Sequence, residues 1–349
     1  MPDVIVTHRL TKYYDAQCVV DGLNLRVAQG TVYGLLGRNG AGKSTTIKML
    51  LGMVHPSYGR AEVLGEDAAQ LRPQTRAKIA YLAEGHPLYR WMTVGQAVRF
   101  NRAFYDNDRW NQRLLEQILD HFELSPKRKI RRLSRGQQAQ VALALAVATD
   151  PEVLILDDPT LGLDTVVRRD FLESLIQIIQ RRGRTILFSS HILGDVERVA
   201  DRIGILDDGV LRVDCPTDQF KDSVRKVVLE KGEGGGRKGE GKGTVPFSSD
   251  ENWDSPPRST PHGPREPDFS GCPGLVSHRT VGRNLELVVV GFGDAHRQWF
   301  ESHGLRELEV VDFNLEDAFI EYTRGPRRSL PIFAQEEHAE HEEEESAHV

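Results

Sequence analysis

Apolar and polar positions change register several times along the chain. Residues 4–36 read as β-rich: Val4-Ile5-Val6-Thr7 and Val19-Val20 precede an alternating stretch, Leu23-Asn24-Leu25-Arg26-Val27, that closes at Gln29-Gly30. Val32–Leu36 is apolar throughout, the pattern of a strand buried on both faces. Thr46–Leu51 then predicts a helix. Helix and strand signals alternate up to about residue 214. The clearest strands are Val153–Leu156, Thr185–Phe188 and Ile203–Leu206; the last runs through the turn Asp207-Asp208-Gly209 into Val210–Val213. Such alternation, with continuous apolar strands, predicts an α/β domain with a largely parallel central sheet. Between Gln96 and Phe122 the period becomes helical. Ala97, Phe100 and Phe104, then Leu114, Leu115, Ile118 and Leu119, share helix spacing. This is either a helical subdomain inserted in the α/β domain or an ordinary pair of surface helices.

The pattern breaks at residue 232. Gly232–Gly243 is a charged, glycine-rich run, and Ser, Asp and Pro with scattered aromatics follow to Pro273-Gly274. So little apolar surface cannot offset the entropy of ordering, so 232–274 reads as a disordered insertion. Trp253, Phe247 and Phe269 leave room for a docking motif within it. Order returns with a strand at Leu285–Val290, a helix near Ala295–Ser302, a strand at Leu308–Val311 and a helix at Leu315–Tyr322. With Lys226–Glu230 as first strand, 223–231 and 275–325 make a small C-terminal α/β appendage interrupted by the insertion. Residues 326–349 read as an acidic solvated tail.

Composition narrows the classes. Hydrophobic residues make up 39% of the 349 and charged residues 28%, enough for a real core. No stretch approaches the ~18–20 apolar residues of a membrane span, and no secretory signal is visible at the N-terminus. Cys18, Cys215 and Cys272 lie far apart without metal-ligand spacing, and read as free thiols of a reducing cytosol. The net charge is −6, but residues 336–349 hold seven Glu and no Lys or Arg. The remainder has no basic bias, so no nucleic-acid partner is expected. His338, His341 and His348 sit in that charge run, which reads as solvated tail rather than a metal site.

The chemistry concentrates between the apolar strand and the first helix. Gly37-Arg38-Asn39-Gly40-Ala41-Gly42-Lys43-Ser44-Thr45 fills the phosphate-loop template, with a strand before it and a helix after it. Its glycines let backbone N–H groups turn toward phosphate oxygens, and the helix end adds partial positive charge. Lys43 is placed for the β- and γ-phosphates and Ser44 for Mg²⁺. Such a loop needs an acidic metal partner at the end of another strand, and Asp157 follows Val153–Leu156 there. Asp158, the next residue, is placed to polarise an attacking water. Leu133-Ser134-Arg135-Gly136-Gln137 precedes an alanine-rich helix from Gln138 to about Thr149. Ser134 suits a helix cap, and Gly136 permits close approach of a ligand.

The order of motifs is specific: phosphate loop, Leu-Ser-x-Gly-Gln, strand with Asp157-Asp158, Leu161-Gly162-Leu163-Asp164, and a strand ending Ser189-Ser190-His191. Over residues 3–222 the chain resembles the ATP-binding cassette family. The resemblance implies a phosphate-loop NTPase fold: a mostly parallel core sheet, an antiparallel β subdomain and a helical subdomain at about 85–150. It implies ATP and Mg²⁺ as ligands, with Ser44, Asp157 and Glu84 around the metal and Asp158, Glu84 and His191 serving catalysis. Tyr14 falls where the family stacks an aromatic on adenine, with neighbouring Tyr13 as a structural alternative. Ser134, Arg135, Gly136, Gln137 and Asp164 would meet ATP held by a second cassette subunit, a homodimer being favoured over a heterodimer.

Three positions depart from the family pattern. Asp158 stands where Glu is usual, Glu84 where Gln is usual, and Arg135 replaces the first glycine of the pentapeptide. Asp withdraws its carboxylate by about 1.5 Å, so slow hydrolysis is one expectation. The resemblance is strongest to ATPase subunits of ABC-2-type exporters, which work on a separate transmembrane permease from the cytoplasmic face. A ribosome- or DNA-directed ATPase, and a weakly hydrolytic regulatory partner in a heterodimer, are the alternatives.

Overall fold

The computed structural model describes residues 1–105, 109–180, 183–231, 269, 271–282, 284–312, 317 and 320. Met1–Ser223 form one unit and Val224–Asp312 another.

The first unit opens with β1 (Asp3–Tyr14), β2 (Gln17–Leu23), β3 (Arg26–Ala28) and β4 (Val32–Leu36). Next come α1 (Lys43–Leu50), β5 (Tyr58–Val63), β6 (Glu66–Asp67), α2 (Pro73–Arg76) and β7 (Ile79–Leu82). Three helices follow, α3 (Val94–Arg102), α4 (Gln112–His121) and α5 (Arg135–Val147). Then β8 (Val153–Leu156), α6 (Thr165–Gln180), β9 (Thr185–Ser190), α7 (Leu193–Val199), β10 (Arg202–Asp207), β11 (Val210–Pro216) and α8 (Thr217–Ser223) complete it.

Among the described residues, one sheet runs β11-β10-β4-β9-β8-β7, parallel except for the β10–β11 hairpin. A second, antiparallel sheet runs β2-β1-β5-β6, with β3 paired to β1. One core cluster joins the two sheets through α1. Ile47, Met49 and Leu50 of α1 share it with Ile5, Leu10 and Val63 of the antiparallel sheet and Leu35, Ile155 and Leu187 of the parallel one. Burying α1 in this way fixes the loop before it.

The alternation over Leu23–Val27 does not make one strand. Thr7 sends its hydroxyl to the Leu23 carbonyl at 2.8 Å and takes the Leu25 N–H at 2.8 Å. Asn24 accepts the Arg9 N–H at 2.7 Å. These side chains replace ladder bonds, so the run splits into β2 and β3.

The helices of the middle region are capped locally. Thr93 and Gln96 form a reciprocal capping box at α3, and Asn111 accepts the Leu114 N–H at 3.0 Å at α4. Leu114, Leu115, Ile118 and Leu119 of α4 are all buried.

The second unit contains β12 (Val224–Lys231), β13 (Leu275–Val281), β14 (Asn284–Val290), α9 (Asp294–Ser302) and β15 (Leu305–Asp312). Its antiparallel sheet runs β13-β14-β12-β15, and Phe300 of α9 packs on Val227, Leu229, Leu285, Leu287 and Val289. Phe269 and Cys272 are buried in this core, with Phe269 4.5 Å from His278 and 5.9 Å from Trp299 between ring centres. Phe269 and Cys272 thus belong to a core although they fall inside the 232–274 segment expected to be disordered, and that expectation is corrected for these two residues: an aromatic ring can find a core that the polar composition around it conceals. Residues 232–268 and the tail 326–349 lie outside the described residues, as does the expected helix Leu315–Tyr322 apart from Asp317 and Ile320.

Candidate nucleotide site

Four parallel strands deliver the site. Their register sets Leu36 beside Ser190, Leu156 beside Phe188 and Leu82 beside Leu156. The carboxyl ends of β4, β9, β8 and β7 therefore stand in a row about 4.8 Å apart per step. The phosphate loop, His191, Asp157-Asp158 and Glu84 leave from those ends. Ligands of open α/β sheets bind at this edge.

The loop is shaped by its glycines. Gly42 caps α1 at φ 103°, where a Cβ would lie 2.5 Å from the Val19 carbonyl oxygen. A Cβ on Gly37 would lie 2.4 Å from the Leu206 carbonyl oxygen. Arg38, Asn39 and Gly40 are exposed, whereas Gly37, Ala41, Gly42 and Lys43 are buried and Ser44 and Thr45 half-buried. Lys43 folds back, giving its ammonium to the Gly37 carbonyl at 2.7 Å and the Arg38 carbonyl at 3.1 Å. Burial pushes its pKa down from the usual lysine range, opposed by Asp158, Asp157 and Glu84. The ammonium is held by two carbonyls of the phosphate loop itself, partners that phosphate oxygens can displace.

Beneath the loop, Asp157 Oδ1 accepts from Ser44 Oγ at 2.9 Å and from Ser189 Oγ at 2.8 Å. Two oxygens that share a Mg²⁺ octahedron at 2.0–2.1 Å stand about 2.9 Å apart, so the Ser44–Asp157 pair already has that spacing. Among the described residues no three His, Cys, Asp or Glu side chains gather as a metal cage. Glu84 is exposed just after β7; besides Lys43, its charge and that of Asp157 reach Tyr81, whose phenol burial pushes up to about 12.

Asp158 has φ 43° and is buried. Its N–H is held by Ser189 Oγ at 2.9 Å, and its Oδ2 meets His191 Nδ1 at 2.6 Å. Its Oδ1 is buried without a hydrogen-bond partner. A carboxylate bound on one oxygen to an imidazole, with the other free, can take a proton from water.

The remaining predicted residues occupy two other places. Tyr14 ends β1, exposed, with Lys12 Nζ 5.1 Å from its ring centre, while Tyr13 packs edge-on against Tyr58 at 6.3 Å. Ser134 and Gln137 engage each other in a capping box at α5: Ser134 Oγ accepts the Gln137 N–H at 3.1 Å, and Gln137 Oε1 accepts the Ser134 N–H at 3.2 Å. Asp164 accepts the Val166 and Val167 N–H groups at 3.1 and 3.0 Å, capping α6. A Cβ on Gly162 would lie 3.1 Å from an Arg135 guanidinium nitrogen, so the substituted position of the pentapeptide meets the loop before Asp164. Gly136 is buried, and a Cβ there would lie 2.3 Å from Val167 Cγ1. Its bareness answers to α6 of the same chain.

Three polar residues of the site carry roles that the motifs do not assign, although Ser189 stands inside one of them. Ser189 joins Asp157 to the Asp158 backbone. His86 is buried, and its Nε2 meets the Pro159 carbonyl at 2.9 Å; burial lowers its pKa, offset by that carbonyl and by Asp158. Asp195 is buried on α7. Proximity to a motif was the available signal for each.

Residues 20–161 match the ABC transporter family. The bacitracin transport ATP-binding protein of Bacillus licheniformis is 35% identical over 230 residues, 65% of this chain and 74% of the relative. The ABC transporter ATP-binding protein YtrB of Bacillus subtilis is 30% identical over 226 residues, 65% of this chain and 76% of the relative. The Nod factor export ATP-binding protein I of Neorhizobium galegae is 37% identical over 225 residues, 63% of this chain and 65% of the relative. Among solved structures, an ATP-binding subunit of an ABC transporter is 30% identical with TM-score 0.56, covering 63% of this chain and 92% of its own. A dimeric cassette bound to ADP and Pi is 22% identical with TM-score 0.54, a likeness of fold. The chain belongs to the ABC transporter family, as an ATP-binding and ATP-hydrolysing subunit. Among the described residues no helix is long and apolar enough to cross a membrane.

Proposed function

We propose that the chain is the motor of an ABC-2-type exporter: two copies close around two Mg·ATP and drive a separate transmembrane permease from the cytoplasmic face. The observation that carries this reading is the convergence of Lys43, Ser44, Asp157, Asp158 and His191 at one sheet edge. The relative named for Nod factor export supports the direction of transport, and the one named for bacitracin transport supports transport itself.

In this reading Lys43 leaves the Gly37 and Arg38 carbonyls for the β- and γ-phosphates. Ser44 and Asp157 would hold the metal, joined by Glu84, and Mg²⁺ would supply charge neutralisation there. Asp158 takes the proton of the attacking water while His191 orients its carboxylate and reaches the γ-phosphate. Tyr14 stacks on adenine. Ser134, Arg135, Gly136 and Gln137 of one copy, with Asp164 at the seam, complete the site of the other. The region after Glu84 fits the permease contact. Tyr89, Trp91, Phe100 and Phe104 are exposed there with ring centres 5.2–6.1 Å apart in sequence along the cluster. Exposed aromatic clusters of this kind mark partner surfaces.

The test combines three readouts on the full chain. Wild type should bind ATP and hydrolyse it with Mg²⁺, and Lys43→Ala should lose binding. Asp158→Asn should run as a dimer in ATP and as a monomer without nucleotide. Tagged protein should retrieve a multi-span membrane protein from solubilised membranes; retrieval of ribosomes instead would overturn the export reading. A second reading, a weakly hydrolytic partner in a heterodimer, draws on Asp158 in place of Glu. Two hydrolysing sites in a dimer of this chain alone would dismiss it.

A further inference from the structure

The Asp158–His191 pair is braced by a buried carboxylate that lies in none of the motifs. Asp195 stands on α7, four residues after His191, and is 5% exposed. Each oxygen has its own partner: Oδ2 accepts from Thr160 Oγ1 at 2.7 Å, and Oδ1 meets Arg168 Nε at 3.1 Å. Thr160 is buried and comes two residues after Asp158. Arg168 stands one helical turn after Asp164, and its N–H bonds the Asp164 carbonyl at 2.9 Å. The carboxylate therefore ties three segments together: the loop leaving Asp158, the start of α6 after Asp164, and the helix after His191. Thr160 lies on one side of it and Arg168 on another, so neither partner alone can replace it. A carboxylate buried at this depth is costly unless both oxygens are satisfied, which a packing role by itself would not require.

We infer that Asp195 is a positioning residue for hydrolysis, acting through Thr160 and Arg168 to hold the Asp158 loop in register with His191. Among the described residues its hydrogen bond and ion pair go to Thr160 and Arg168, not to the phosphate loop or Glu84. Its loss should therefore spare ATP binding and impair the chemical step. The inference rests on the ATPase reading above and goes beyond it by making the His191 helix and the Asp164 loop one mechanical unit.

The experiment is steady-state ATPase kinetics on the full chain. Asp195→Asn keeps the shape and loses the ion pair with Arg168; Thr160→Val keeps the shape and loses the hydroxyl. Each should lower kcat about 10- to 100-fold, the scale of a misplacement near 1 Å, with KM for ATP within about twofold. Thr160→Ser should restore kcat, which separates a hydroxyl requirement from packing. In a His191→Ala background, Asp195→Asn should add less than about twofold, because the pair it aligns is already broken. Wild-type kcat in both variants, a raised KM with kcat intact, or a full multiplicative loss in the His191→Ala background would each overturn the inference. Should Asp195→Asn not fold, the Thr160→Val and Thr160→Ser pair carries the same decision. A wild-type chain that hydrolyses no ATP would instead defeat the ATPase reading itself.

Discussion

Ser189→Ala is the sharpest probe of how the site is held. Ser189 is fully buried at the end of β9 and its hydroxyl works in both directions. It donates to Asp157 Oδ1 at 2.8 Å and accepts the Asp158 N–H at 2.9 Å. Alanine removes one oxygen and leaves no room for water to replace it. The Asp158 N–H is then buried without an acceptor, at about 1–3 kcal/mol. Asp157 loses a charge-assisted donor, worth about 1.5–3 kcal/mol, but keeps Ser44 at 2.9 Å. Partial relaxation brings the total to about 3 kcal/mol. The Asp158 backbone, already at φ 43°, loses the bond that fixes it, so turnover should also fall by about 100-fold. Urea unfolding gives the first quantity and steady-state ATPase the second. Ser190→Ala is the control: Ser190 is equally buried, but its hydroxyl bonds locally, accepting from Ile192 N–H at 3.0 Å. It should cost about 1 kcal/mol and leave turnover within twofold. A Ser189→Ala protein as stable and as active as the Ser190→Ala control would refute the reasoning.

Gly136→Ala would set a Cβ 2.3 Å from Val167 Cγ1 and should cost about 1–3 kcal/mol in thermal unfolding, with Val167→Ala relieving most of it; no penalty would mean that α5 and α6 pack less tightly. Asp158→Glu should raise ATP turnover if the short carboxylate limits it, and an unchanged or lower kcat would discard the slow-site idea. Glu66 bonds the Arg72 guanidinium, Thr75 Oγ1 at 2.6 Å and the Arg72 N–H at 3.0 Å, which together lower its pKa to about 2. Because the folded value is depressed, this stabilisation is present above the ordinary glutamate range and is lost as pH falls toward 2. Glu66→Gln should therefore flatten that acid limb in pH-dependent melts, and an unaltered limb would contradict the assignment. Phe269→Ala should lower the stability of the second unit by about 3 kcal/mol in calorimetry, whereas a surface position would lose less than about 0.5 kcal/mol.

The phosphate loop was legible because its signal is local. Nine consecutive residues set the turn, the cap of α1 and the ammonium, and the flanking apolar strand and helix follow from their own periods. The strand Val153–Leu156 was legible for the same reason, with Asp157 at its end. The alternation at Leu23–Val27 misled because Thr7, sixteen or more positions earlier, supplies the hydroxyl that breaks the ladder. The core role of Phe269 was hidden because β13 and α9, which cover it, come later in the chain than the polar segment that holds it. The valine on the next long helix that also requires Gly136 to be bare is 31 positions away, beyond the reach of any local pattern.

The sequence by itself determined the kind of protein, the chemical residues and their order, because motif spacing and hydrophobic period are properties of adjacent residues. Tertiary structure decided which groups hold those residues in place. Ser44 meets Asp157 across 113 positions, His86 meets Pro159 across 73, and Thr160 meets Asp195 across 35. Such contacts exist once the order of parallel strands sets β4, β9, β8 and β7 side by side, and no local pattern encodes that order.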